Sequence, residues 1–342
     1  MSNLSKLLNQ KTPIWFMRQA GRYLPEYKEI RKKERNFLNL CFNPDLAAEI
    51  SLQPIKRFGF DFIILFCDIL VIPYALGKKV DFKEKLGPIL EKTKNVKEFK
   101  SLNYEISMEK LSPVMETIKK IKKQKPEINL IGFCGGPFTV LTYMIEGGTS
   151  KNHLLVKQKI KEDREDFKNL IKIITNLSIK YLESQIISGA NIVKVFESWA
   201  GLLDERDYED FIIKPNKKIQ ENLKKKFPSI PIIFFPRNSG YNIFAFIKNI
   251  DCDILSLDKE FPKELLNLAK EKKITLQGNL DPQILIEGGK KLEDEVKKIM
   301  IEFSNYDHIF NLSHGILPIT PIKNVEKTIE IVRNFNEAKK SY

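Results

Sequence analysis

"INLIGFCGGPFTVLTYMIEGG", residues 128–148, reads as one unit of a repeating plan. Its first six residues form an apolar, β-branched and aromatic run of the kind that fills a buried strand. Gly135-Gly136-Pro137 then breaks the run as a turn, and a segment of helical length starts behind it. Outward from this unit the same short runs recur as "DFIILF" (61–66), "NIVKVF" (191–196), "PIIFF" (231–235), "DILSL" (253–257), "ITLQG" (274–278) and "HIFNL" (308–312). Most are separated by long amphipathic stretches rich in Lys and Glu. "PIWFM" (13–17) is a candidate eighth strand. Strands alternating with helices imply a parallel sheet, either doubly wound or closed into a barrel.

The polar residues choose between the two. Directly after the runs come Asp68, the Gly135-Gly136-Pro137 turn, Ser198, Pro236-Arg237, Asp258, Asn279-Asp281 and His314. A barrel gathers such residues on one face from the whole length of the chain. A doubly wound sheet would concentrate them near a glycine-rich first turn, and no G-x-G-x-x-G occurs. No Gly/Ser-rich seam divides the chain. The expectation is an α/β TIM barrel in a single domain spanning 1–342.

Arginine is scarce and clustered. The chain has 57 basic residues, of which nine are Arg, and four of these (Arg18, Arg22, Arg31, Arg35) fall in "KTPIWFMRQAGRYLPEYKEIRKKER" (11–35). A lysine-biased chain keeps arginine where a planar bidentate fork is needed, and the partners of such a fork are carboxylates and phosphates. Arg18 and Arg22 are flanked by Trp15, Phe16, Met17 and Tyr23, so both are expected to be buried against an anionic partner, whereas Arg35 and its lysine neighbours read as a solvated face.

The net charge of +13 points to nucleic acid, an anionic surface or an acidic small molecule, although runs such as "IKKIKKQK" (118–125) read as solvated helix faces. No nucleic-acid-binding motif is present, so no specific nucleic acid is expected. The longest apolar stretch, Phe62 to Leu76, contains Asp68 and Pro73 and is shorter than the ~20 residues of a spanning helix, so no membrane insertion is expected. Cys41, Cys67, Cys134 and Cys252 lack disulfide or zinc spacing, which fits a reducing cytoplasm. The polar first ten residues do not read as a signal peptide.

Individual residues leave alternatives open. Asp68, inside the most apolar stretch, is either a helix N-cap or a functional acid. Tyr143 could be core packing. Ser198 lacks the context of an activated nucleophile, and a lone loop histidine such as His314 is more often a hydrogen-bonding group than a metal ligand.

"PIWFMRQAGRYLPEY" and "GFCGGPFTVLTYMIEGG" resemble the two signature segments of the uroporphyrinogen decarboxylase family. "FCDILVIPYALG", "FESWAG", "TLQGNLDP" and "NLSHGILP" resemble further family blocks in the same order. The resemblance implies a distorted (β/α)8 barrel, usually a homodimer. It implies removal of carboxyl groups from the four acetate side chains of uroporphyrinogen III, giving coproporphyrinogen III without a cofactor. It makes Arg18, Gln19, Ala20, Gly21 and Arg22 the substrate-clamping segment, with Arg31 beside them, Asp68 the central acid, and Tyr143, Ser198 and His314 substrate contacts. Cys67, Ser313 and Lys259 depart from residues common in the family, and local loop shape is where those departures act. Two alternatives stand beside it: a zinc- and corrinoid-dependent methyltransferase of the same superfamily, and a non-enzymatic polyanion binder.

Overall fold

The computed structural model describes residues 3–83 and 86–340; the outermost residues of the 1–342 single-domain reading lie outside that range. Seven parallel strands follow one another in chain order, β1 (Phe62–Ile64), β4 (Asn129–Gly135), β5 (Ile192–Glu197), β6 (Ile232–Pro236), β7 (Ile254–Ser256), β8 (Thr275–Leu280) and β9 (His308–Leu312). Each falls on one of the seven runs read from sequence. The strands are almost wholly buried, as a parallel sheet covered by helices requires.

The eighth position is filled by an irregular segment. Ile14 forms a parallel bridge with Phe310 on β9, the Phe310 N–H donates to Pro13 O at 2.8 Å, and the Asp61 N–H just before β1 donates to Ile14 O at 3.0 Å. Residues 13–15 thus lie between the last strand and the first and close a distorted (β/α)8 barrel. Pro13 has no N–H to give, so the segment makes a single bridge rather than a ladder.

A feature the periodicity reading passed over is an antiparallel hairpin, β2 (Val80–Lys83) and β3 (Gly87–Leu90), with Val80 paired to Leu90. The alternation Val80-Asp81-Phe82-Lys83 followed by Gly87 is its signal in the sequence. Ile89 bridges Gly148, at the end of helix Pro137–Glu146.

Inside the barrel, side chains from three strands and the closing segment share a polar chain. The Lys194 amine bonds Ser256 Oγ at 2.8 Å, Gln277 Nε2 donates to the same oxygen at 2.7 Å, and Trp15 Nε1 donates to Gln277 Oε1 at 3.1 Å. Among the described residues no carboxylate accompanies Lys194, which is 1% exposed, and burial pushes its amine well below the ordinary lysine range. No helix among the described residues is long and apolar enough to cross a membrane.

Candidate active site at the mouth of the barrel

Asp68 stands four residues past β1, on a segment fixed at both ends. Before it, the Leu65 N–H donates to Ile131 O at 3.0 Å and the Phe66 N–H to Ser51 Oγ at 2.9 Å. After it, the Leu70 N–H donates to Asp68 Oδ1 at 2.9 Å. Asp68 therefore closes an Asx turn rather than capping helix Val71–Ala75, whose N-cap is Leu70. Oδ2 has no hydrogen-bond donor among the described residues. Burial raises the carboxyl above its usual range, opposed by the Leu70 N–H and by the Arg18 charge.

The clamp segment is a loop, not a helix. Gln19 is completely buried and secures it: its Nε2 donates to Phe62 O at 2.9 Å, its Oε1 accepts from the Phe16 N–H at 3.1 Å, and its carbonyl accepts the Tyr23 hydroxyl at 2.8 Å. The Gln19 side chain is thereby committed to holding the loop on β1. Trp15, Phe16, Met17 and Tyr23 are buried as expected, but Arg18 and Arg22 are exposed. The expectation of burial fails because the aromatic neighbours turn into the core while the two guanidinium groups turn out at the rim, where water solvates them. Arg18 adopts φ 61° and its side chain runs across Gly315, where an added Cβ would meet Arg18 Cδ at 2.4 Å. Gly21 is similarly close to the Arg18 carbonyl, at 3.3 Å from a Cβ. Ala20 packs half-buried against the core.

The loop after β9 carries His314. It is tied down by the Ser313 N–H to Leu280 O and the Ile316 N–H to Met17 O, both 2.9 Å. Burial, with Arg18 and Arg237 adding to it, pushes the His314 imidazole down to about 3. At neutral pH it is an uncharged hydrogen-bonding group.

Tyr143 belongs to helix Pro137–Glu146 and is half-buried, its ring centroid 6.0 Å from that of Trp199. Burial raises its hydroxyl and Asp68 adds to that, while the Arg18 and Arg237 charges oppose. The helix itself is set by Glu197, the last residue of β5. Glu197 accepts the Phe138 N–H at 3.2 Å, the Thr139 N–H at 3.0 Å and the Thr139 hydroxyl at 2.8 Å. A buried carboxyl group thus accepts the first N–H groups at the positive end of the helix.

Gly136 makes room for this, since a Cβ there would sit 2.0 Å from Glu197 Cδ. Burial raises the Glu197 carboxyl to about 7.

Arg18, Asp68, Tyr143 and His314 are thus brought within electrostatic reach of one another. Ser198 follows β5 at the same end of the barrel and is half-buried, with no hydrogen bond of its side chain among the described residues. Arg31 is tied within its own segment: its guanidinium donates to Glu34 O at 2.8 Å and lies 6.0 Å from the Phe37 ring centroid.

Two groups that sequence reasoning noted only as polar punctuation join the constellation. Arg237 follows β6, and Asp258 follows β7. Asp258 Oδ2 accepts the Asn238 N–H at 2.7 Å, and burial raises its carboxyl to about 6 against the opposing charge of Arg237. A cavity of about 320 Å³ opens between Arg237, Asp258, Lys259, Ser313 and His314. Lys259 pairs with Asp281 at 2.8 Å on its wall. Cys67, the third departure, places Sγ 3.6 Å from the Tyr181 hydroxyl. Among the described residues no three His, Cys, Asp or Glu side chains are grouped to hold a metal ion.

A family model described as uroporphyrinogen decarboxylase (URO-D) matches residues 4–335. The uroporphyrinogen decarboxylase of Rickettsia bellii (strain RML369-C) is 46% identical over 335 residues, covering 98% of each chain. That of Rickettsia africae (strain ESF-5) is 46% identical over 329 residues, 96% of this chain and 95% of the other. Among solved structures, a methyltransferase from Methanosarcina mazei has a TM-score of 0.75 at 18% identity over 97% of each chain. A B12-independent methionine synthase from Shewanella sp. W3-18-1 has a TM-score of 0.57 at 14% identity over 87% of each. At those identities the structures speak to the fold alone.

Proposed function

The chain belongs to the uroporphyrinogen decarboxylase family, and from that membership we propose that the mouth of its barrel binds uroporphyrinogen and removes the carboxyl groups of its acetate side chains. The protein is a carboxy-lyase of haem biosynthesis. The arrangement around Asp68 is the observation that carries the site assignment: one carboxylate set past the end of β1 between buried Phe66 and Leu70, with the Arg18 charge acting on it.

The chemistry follows from the substrate. Protonation of a pyrrole carbon makes a cation that accepts the electron pair of the breaking C–C bond. Carbon dioxide leaves, the exocyclic methylene that remains is protonated to a methyl group, and the ring carbon gives up the proton it first took, which restores the pyrrole. Asp68 acts by accepting hydrogen bonds from pyrrole N–H groups and stabilising that cation. At about 4 Å and an effective dielectric near 20 such a pair is worth roughly 4 kcal/mol, about a thousandfold in rate. Arg18 and Arg22, with the turn of Gln19, Ala20 and Gly21 between them, hold the peripheral carboxylates, and Arg31 supports the same rim. Tyr143, Ser198 and His314 orient the macrocycle by neutral hydrogen bonds. The working form is a cytoplasmic homodimer, checked by its mass in solution.

Asp68→Asn tests the site. An Asn oxygen still accepts the Leu70 N–H, so the Asx turn survives and only the charge is lost. We expect kcat to fall by a factor of hundreds or more with thermal unfolding near that of the parent, and Asp68→Glu to lose less. A folded Asn variant with near-parental kcat would return Asp68 to a purely local turn role.

A further inference from the structure

Of the nine arginines in the chain, Arg237 is in an unusual position. It is half-buried, yet its guanidinium makes no hydrogen bond or ion pair with any described residue. The other half-buried arginines are engaged: Arg31 donates to Glu34 O, and Arg164 pairs with Asp207 and Asp210. A partly desolvated guanidinium without an acceptor is unfavourable unless an anion completes it.

Its main chain, in contrast, is held from three directions. The Arg237 N–H donates to Glu197 O at 3.0 Å, and the Arg237 carbonyl accepts the Gly201 N–H at 3.0 Å. The following Asn238 N–H donates to Asp258 Oδ2 at 2.7 Å. Gly201 permits this contact, because a Cβ there would stand 2.2 Å from Asn238 O. Ser239 adds a further tie through Pro236 O at 2.6 Å and the Tyr208 hydroxyl at 2.7 Å. A side chain mounted on so fixed a backbone, lining the cavity beside His314, is preorganised for a ligand.

We propose that Arg237 is a carboxylate-anchoring residue for the substrate, engaging an acidic side chain on the part of the macrocycle opposite the one held by Arg18. The charge distribution supports it. Arg237 acts on His314 after β9, on Tyr143 after β4 and on Asp258 after β7, so its head lies among groups from three sides of the mouth. The nearby acid, Asp258, already accepts the Asn238 N–H and forms no ion pair with Arg237. A ring carrying carboxylates around its whole circumference needs cationic anchors on more than one side. Arg18 and Arg22 provide one and Arg237 the other.

The identity of the ligand rests on the decarboxylase reading, so binding and turnover are measured separately. Binding of uroporphyrin, the oxidised octacarboxylate, is titrated by fluorescence quenching against the parent, Arg237→Gln and Arg237→Lys, and KM and kcat for uroporphyrinogen are measured in parallel. We expect Arg237→Gln to weaken uroporphyrin binding and raise KM at least about tenfold with kcat within about threefold. Arg237→Lys, which keeps the charge without the fork, should lose about threefold. Should the Gln variant fail to fold, the Lys variant decides: parental Kd in a folded Lys or Gln variant overturns the proposal. Weakened uroporphyrin binding in the Arg237 variants, beside a parent that binds uroporphyrin but turns over no uroporphyrinogen, would uphold Arg237 as a polycarboxylate anchor and reject the decarboxylase reading alone.

Discussion

Arg18 and Gly315 show how little space separates a side chain proposed to bind substrate from its support. The arginine side chain crosses the glycine with no room for a methyl group, so Gly315→Ala must displace the guanidinium without touching the barrel strands. Gly315 is not at a positive φ, so alanine is tolerated by the backbone and the effect is confined to Arg18. A fall in kcat/KM of about tenfold, equivalent to ~1.4 kcal/mol, is expected with an unchanged melting temperature. Unaltered kinetics would remove Arg18 from the binding surface.

At this scale the sequence was partly readable. The family resemblance pointed to Asp68, Tyr143 and His314, where the residues alone left alternatives open, and the fold places the three together with Arg18. The arginine exposures were misjudged because flanking aromatic residues report what the backbone buries, and in a loop alternate side chains turn opposite ways. Arg237 was noted only as one polar residue among those that follow the strands, because a single arginine after a strand resembles any other.

The helix Pro137–Glu146 depends on a residue from another strand. Glu197 occupies its N-terminus, and Gly136 leaves the space for it. This explains physically why "GGPFT" and "FES" occur in one chain: the glycine, the threonine and the glutamate form one contact. Gly136→Ala should cost about 1–3 kcal/mol through overpacking, measured as a lowered denaturation midpoint. In an Glu197→Ala background the clash is gone, so the same substitution should cost clearly less. Equal costs in both backgrounds would mean that Gly136 serves some other contact.

The seven strands were legible because fully buried parallel strands are written as unbroken apolar runs. The hairpin β2–β3 was not, since its alternating, partly exposed pattern is short and lies among charged residues.

Across the whole molecule, buried titrating groups act against one another. His308 is held down to about 4 and His314 to about 3. Their contribution to stability is present above the unfolded value near 6.5 and is lost as pH falls towards those folded values. Glu197 and Asp258, raised to about 7 and about 6, do the reverse: their contribution is full below the unfolded values near 4.5 and 3.8 and is lost as pH rises through the folded ones. Between about pH 6.5 and 4.5 the two pairs largely offset, so the melting temperature should vary little there and drop below about pH 4. Glu197→Gln removes one side of the balance, and its melting temperature should already decline from about pH 6.5 downward. A profile parallel to that of the parent would contradict the buried-acid role.

The barrel itself was legible as a whole because polar residues follow nearly every strand and so mark one face. Its irregular closure at residues 13–15 was not fully so, because one proline decides between a bridge and a ladder.

The central claim is that this face decarboxylates uroporphyrinogen with the substrate as its own electron sink. It is tested most directly by incubating chelator-treated, dialysed protein with uroporphyrinogen under anaerobic, reducing conditions and counting carboxyl groups on the product. The account predicts accumulation of the tetracarboxylate coproporphyrinogen without added metal. Recovery of unchanged octacarboxylate, or turnover that appears only when zinc is restored, would contradict it.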